Sequence, residues 1–188
     1  MKLFTNPLQE INEYCEARTM LSKQGVSVEF FGCSEGQKSQ LIHGLSDMYD
    51  RIVVIASDEL RGRAFAEDYR FFDRTTAVFP AKDLIFYQAD VFSNRVTSER
   101  MKTIRGILSG EVKTVVTTVD AFMAPMVPFD IIKKNIVTIQ KGSVIEEEAL
   151  AYKLTEMGYE RVAQVEEGGQ FCVRGGIIQN DATRVDAA

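Results

Sequence analysis

The chain has 188 residues, 45% of them hydrophobic and 26% charged, a globular composition that excludes intrinsic disorder. Its net charge of -5, with both signs interspersed, argues against duplex DNA as a direct partner, because such binding rests on basic patches. Three scattered cysteines (Cys15, Cys33, Cys172) and one histidine (His43) are too few and too far apart for a disulfide framework or a zinc site, so no metal is expected.

No stretch approaches the roughly 18 apolar residues of a membrane span, and Met1 to Glu10 lacks a signal-peptide core. The expectation is a cytoplasmic protein with reduced thiols and no membrane partner. In chain order, Leu8, Ile11, Tyr14, Cys15 and Met20 recur at near-helical spacing and predict an opening helix that ends at Gln24-Gly25. Val26 to Phe31 reads as a strand and is followed by a glycine-containing loop. Leu41, Ile42, Leu45 and Met48 predict the next helix. Arg51 to Ala56 is a continuous apolar run of the kind found in strands buried on both faces of a parallel sheet. Ser57 or Asp58 is placed to cap a helix through Leu60, Ala64, Phe65, Tyr69 and Phe72. A strand at Thr76 to Phe79, a helix from about Ser98 to Leu108 and a strand at Thr114 to Thr118 complete an alternation of strands and helices. That order predicts an α/β fold, a P-loop-NTPase-like parallel sheet with helices on both faces.

After Pro125 and Pro128 the pattern changes to a small α+β unit. Its elements are a strand at Ile136 to Ile139, a helix from Ile145 to Met157 with an acidic first turn, and two strands within Tyr159 to Ile178 joined at Gly168-Gly169. The expected organisation is residues 1–125 as the first subdomain, 126–178 as the second, and 179–188 as a tail left by cloning.

Gly32, Gly36, Gln37, Lys38 and Ser39 fall close to the phosphate loop G-x-x-x-x-G-K-[ST], in which backbone N–H groups wrap phosphates, Lys reaches the terminal ones and the hydroxyl holds magnesium. Gln37 stands where the second glycine belongs. Two readings follow: a nucleotide site, or a strand-to-helix turn that kept its glycines without the ligand. Hydrolysis also needs an acidic residue on magnesium. Asp120 is the nearest candidate, and capping of the following helix is its simpler role.

Three segments resemble the module shared by bacterial transcription-repair coupling factors and the excinuclease component UvrB. Phe79 to Tyr87 is similar to F-P-x-W-E-x-L-P-Y, with Lys82 in place of Trp and Phe86 in place of Pro. Val115 to Ala121 is similar to the strand and turn that close the first subdomain, and Gly158 to Ile178 follows G-Y-x-R-V-x-Q-V-E-x-x-G-x-F-x-V-R-G-G-I. The resemblance implies a phosphate loop that is degenerate, as in coupling factors, and a first subdomain lacking its return segment. It also implies a second subdomain that binds the excinuclease component UvrA, with Arg161, Phe171 and Arg174 at the motif positions of that surface. No cofactor is then expected for this chain. ATP and magnesium would belong to the motor domains of the longer protein, and RNA polymerase and DNA would be partners of its other domains. The residues alone leave alternatives open: Arg161 and Arg174 also read as solvated strand residues, Phe171 as a core residue, and the whole as an ATP-binding fragment of a UvrB-like or helicase-like enzyme.

Overall fold

The computed structural model describes residues 5–81, 90–137, 139, 144–166 and 169–180, with the side chains of 90–94 outside the description. The chain divides into two units, Met1–Ala124 and Pro125–Ala188.

In the first unit a short 3-10 turn, Pro7–Glu10, leads into α1 (Asn12–Leu21), followed by α2 (Glu35–Leu45), β1 (Ile52–Ala56), α3 (Glu59–Tyr69), β2 (Ala77–Phe79), α4 (Asp90–Ser109), β3 (Thr114–Thr118) and α5 (Val119–Met123). The three strands form a parallel sheet in the order β1-β3-β2, with Val54 beside Val116 and Val78 beside Val116. The α/β class expected from the alternating pattern is therefore present. Val116, Ala66 and Val78 form the core against Val54 and Phe65. Val116 is fully buried, a placement worth about 1.5–3 kcal/mol for an aliphatic side chain of this size.

Side chains hold the layers in register. Asp58 caps α3 by accepting from the Arg61 N–H at 2.8 Å, one of the two caps expected. The Thr114 hydroxyl, at the start of β3, donates to Asp73 at 2.6 Å. Arg100 on α4 is 3% exposed; it donates to the Pro80 carbonyl at 2.6 Å and lies 3.9 Å from the centre of the Phe79 ring, fastening α4 to the end of β2. At the N-terminal end, Tyr14 donates to the Gly44 carbonyl at 2.7 Å, while Arg18 grips both carboxylate oxygens of Asp47 and ties α1 to the end of α2.

Four expectations are corrected here. Val26 to Phe31 runs without helix or ladder among the described residues: its β-branched and aromatic composition favours extension, but a strand is defined by a neighbour, and none pairs with it. The Arg51 to Ala56 run is not buried on both faces. Val53 and Ile55 are 53% and 50% exposed, so one face of the sheet is open at this edge. The α5 cap is Thr118, which accepts from the Ala121 N–H at 3.3 Å, and Asp120 sits inside the first turn instead of capping it. The helix expected from Ser98 begins earlier, at Asp90.

The second unit holds α6 (Phe129–Lys134), α7 (Glu147–Glu156), β4 (Glu160–Arg161), β5 (Gln170–Arg174) and β6 (Ile177–Asn180), with sheet order β4-β5-β6. The two strands expected on either side of Gly168-Gly169 are β4 and β5, and a third, β6, follows them. β4 runs parallel to β5, so the Gly168-Gly169 region does not join an antiparallel pair. The antiparallel pair is β5–β6, closed by Gly175 and Gly176 with φ of +56° and +84°. A two-residue turn of this hand follows the twist of its strands and requires positive φ at both positions, which glycine alone adopts readily. Gln179 and Asn180, assigned to the tail from sequence, belong to β6, and residues 181–188 lie outside the described ones. The strand expected at Ile136 to Ile139 falls partly outside them too, and Ile136 and Val137 are in no regular element.

Candidate functional site

In the second unit, β4 and β5 bring Arg161 opposite Phe171. The Arg161 side chain is exposed and makes no hydrogen bond or ion pair within the described residues. Phe171 is fully buried, under α7 and between its strand neighbours. Alternation along β5 would put Phe171 and Val173 on one side of the sheet, and that side faces the helix. Of its two readings, Phe171 takes the core one: it lies beneath the surface that Arg161 occupies. Arg174 is exposed, and its Nη2 donates to the Ala163 carbonyl at 2.6 Å, pinning the connection that follows β4.

Above Phe171 is a groove of about 380 Å³, walled by Arg161 and Val173 on the strand side and by Glu147, Glu148, Ala151, Tyr152 and Thr155 of α7 on the other. The motif in the sequence does not reach this helical wall. Glu147 and Glu148 read as a helix first turn, and the signal that could have found the wall is the spacing of Glu148, Tyr152 and Thr155 on one helical face.

In the first unit the glycine loop has closed on itself. Gly32 turns with φ of +74°. Ser34 is the N-cap of α2, and Gln37 completes a capping box: the Gln37 N–H donates to Ser34 Oγ at 3.4 Å, and the Ser34 N–H donates to Gln37 Oε1 at 2.8 Å. Lys38 Nζ is paired with Glu35 at 2.7 Å. Ser39 is 4% exposed, its hydroxyl removed from solvent, and Gly36 is an ordinary exposed residue of the first turn. The Lys38 ammonium shifts the Glu35 carboxyl below its usual range through a hydrogen bond and charge. The Ser34 and Gln37 N–H groups and the Lys38 ammonium are thus engaged within the chain. A cavity of about 560 Å³ lies beside this loop between α2, β1 and α3, lined by Val28, Phe30, Leu41, Val54 and Phe65 together with Glu35, Lys38, Ser57 and Arg61.

Among the described residues no group of three or more His, Cys, Asp or Glu side chains is placed to hold a metal ion. No helix among them is long and apolar enough to cross a membrane. The Phe79 to Tyr87 motif falls largely outside the description, since residues 82–89 are not part of it.

Residues 137–182, which include Arg161, Phe171 and Arg174, match the family described as the UvrB interaction domain. The transcription-repair-coupling factor of Bacillus subtilis is 31% identical over 162 residues, an alignment covering 78% of this chain and 14% of that protein. Over most of its length the chain is similar to transcription-repair-coupling factors. The coupling factor of Staphylococcus epidermidis is 25% identical over 179 residues, 94% of this chain and 15% of its own length, and that of Staphylococcus haemolyticus 27% over 100 residues. The chain therefore spans about one seventh of the length of the coupling factors it matches. The UvrB interaction match falls on the unit that carries β4, β5, β6 and α7, and so on the groove above Phe171.

Proposed function

We propose that the second unit of this chain recruits the excinuclease component UvrA in nucleotide excision repair, and that the chain hydrolyses no ATP of its own. One observation carries the first part: within the UvrB interaction domain, Arg161 stands exposed on β4 with its guanidinium unpaired among the described residues. Arginine offers a planar fork of donors that matches a carboxylate in two-pronged fashion, and it is weakly hydrated, so it suits an interface better than lysine does. Arg174 contributes differently, by holding Ala163 and with it the shape of the adjoining loop.

Support for the absence of hydrolysis comes from Gln37, which stands where the phosphate loop has its second glycine and spends its side chain on the Ser34–Gln37 capping box, and from the Lys38–Glu35 pair. In the longer coupling factors, contacts with RNA polymerase and DNA, and the ATP-driven motor, would reside in the parts this chain does not contain.

Titration calorimetry of the chain against purified UvrA tests the reading. The expected result is micromolar or tighter binding, weakened by about 1 kcal/mol or more in Arg161→Ala. A folded chain that does not bind overturns it.

A further inference from the structure

The two walls of the groove above Phe171 carry opposite charge and do not neutralise each other. Arg161 lies on the strand side, and Glu147 and Glu148 lie on the helical side. None of the three makes an ion pair or hydrogen bond among the described residues. Charges that share a groove of this size usually bridge or point apart; here both remain available in the free protein. Between them the groove is lined by Ala151 and by fully buried Phe171.

Helical geometry makes the wall continuous. Glu148, Tyr152 and Thr155 recur at spacings of four and three, which places them in one row along α7. Tyr152 is 68% exposed, although it lines the groove with the buried Phe171. An aromatic ring left this accessible at the edge of a charged groove is the kind of anchor that binding interfaces bury, because it adds large contact area for little lost conformational freedom. The Thr155 hydroxyl donates to the Ala151 carbonyl at 3.0 Å, so its proton is spent within the helix.

We infer that α7 forms the second wall of the recruitment surface, and that the groove takes a segment of UvrA carrying a basic side chain for Glu148 and an acidic one for Arg161, packed against Tyr152. This rests on the recruitment reading and extends it from the two arginines to a helix that reading does not use. Opposed charges fix the direction in which the segment lies: a segment entering reversed would set like charges together, which costs affinity at both ends. Glu147 is less available than Glu148, since its carboxylate leans toward the β5–β6 turn, 3.9 Å from where a side chain on Gly176 would begin.

The experiment is calorimetric titration of the whole chain with purified UvrA, comparing wild type, Arg161→Ala, Tyr152→Ala, Glu148→Gln, Glu148→Lys and Glu156→Gln. Glu156 is exposed on the same helix but outside the groove and serves as the control. The expected result is a loss of roughly tenfold or more for Tyr152→Ala and Glu148→Lys, a smaller loss for Glu148→Gln, and no change beyond about twofold for Glu156→Gln. Replacement of Glu148 by Gln is near-isosteric at an exposed position, so it reads the charge without threatening the fold. If wild type binds and Arg161→Ala weakens it while the Tyr152 and Glu148 variants all bind within about twofold of wild type, the helical wall is overturned and the recruitment reading stands. If folded wild type does not bind at all, both fall.

Discussion

Gln37 shows how one side chain decides the character of a loop. Its amide takes the place of an external acceptor by bonding the Ser34 N–H, and its own N–H bonds the Ser34 hydroxyl. Gln37→Ala should remove half of this reciprocal cap and cost about 1 kcal/mol, measurable as a lower urea midpoint at unchanged slope. His43 offers a second test at this scale. Its ring stacks on Phe72 at 5.0 Å, and burial holds the imidazole below its usual value near 6.5, with Lys113 acting in the same sense and Asp73 and Asp47 opposing. A base depressed in the folded state binds fewer protons there than in the unfolded chain. Its contribution is therefore complete above about pH 6.5 and is lost as pH falls through that value toward the folded one. The urea midpoint should drop between about pH 7 and pH 5, and His43→Leu should flatten that part of the profile. Asp73 responds in a lower window. Burial raises its carboxyl, but hydrogen bonds from Thr114 and Thr75 outweigh this and leave it below the usual value, so its share is lost only under more acidic conditions.

At the scale of elements, close approach replaces sequence pattern as the controlling fact. α1 reaches α2 because Gly44 has no side chain: a Cβ there would lie 2.5 Å from Leu8 Cδ1 and 2.8 Å from the Tyr14 hydroxyl oxygen. Gly44→Ala should force Leu8 and Tyr14 outward, break the Tyr14–Gly44 hydrogen bond and cost roughly 1–3 kcal/mol, checked by equilibrium unfolding and by the loss of protection of α1 amides from hydrogen exchange. Helices and sheet strands are legible in the sequence where their periodicity and apolar runs are local, as at Ile52–Ala56 and Thr114–Thr118. Val26 to Phe31 departs from its pattern for a non-local reason, since the same residues make a strand only when another backbone lies alongside. Sequence does not tell the parallel pair β4–β5 from the hairpin β5–β6, because Gly168-Gly169 and Gly175-Gly176 are the same dipeptide and only pairing distinguishes them. Of the groove, the motif exposes the arginines on the strands. The wall contributed by α7 stays hidden, because Glu147 and Glu148 satisfy the rule for a helix first turn whether or not anything binds them.

For the whole molecule the decisive contrast is between a loop whose groups are engaged and a groove whose groups are not. Millimolar Mg-ATP should leave the unfolding temperature unchanged, and Lys38→Ala should behave the same with and without nucleotide. A ligand held at about a hundred times its Kd would add about 2.7 kcal/mol, a rise of roughly 5–10 °C for a chain of this size, so even modest binding would be seen by thermal melt.

Val53 and Ile55 on β1 give the isolated chain a further property. Beside them runs the outer edge of β1, which pairs with no other strand among the described residues. An apolar strand with an unpaired edge is a template on which another backbone can polymerise. The chain should therefore scatter light increasingly as it is concentrated or warmed below its unfolding temperature, and Val53→Lys should raise the concentration at which turbidity begins while leaving its circular dichroism unchanged.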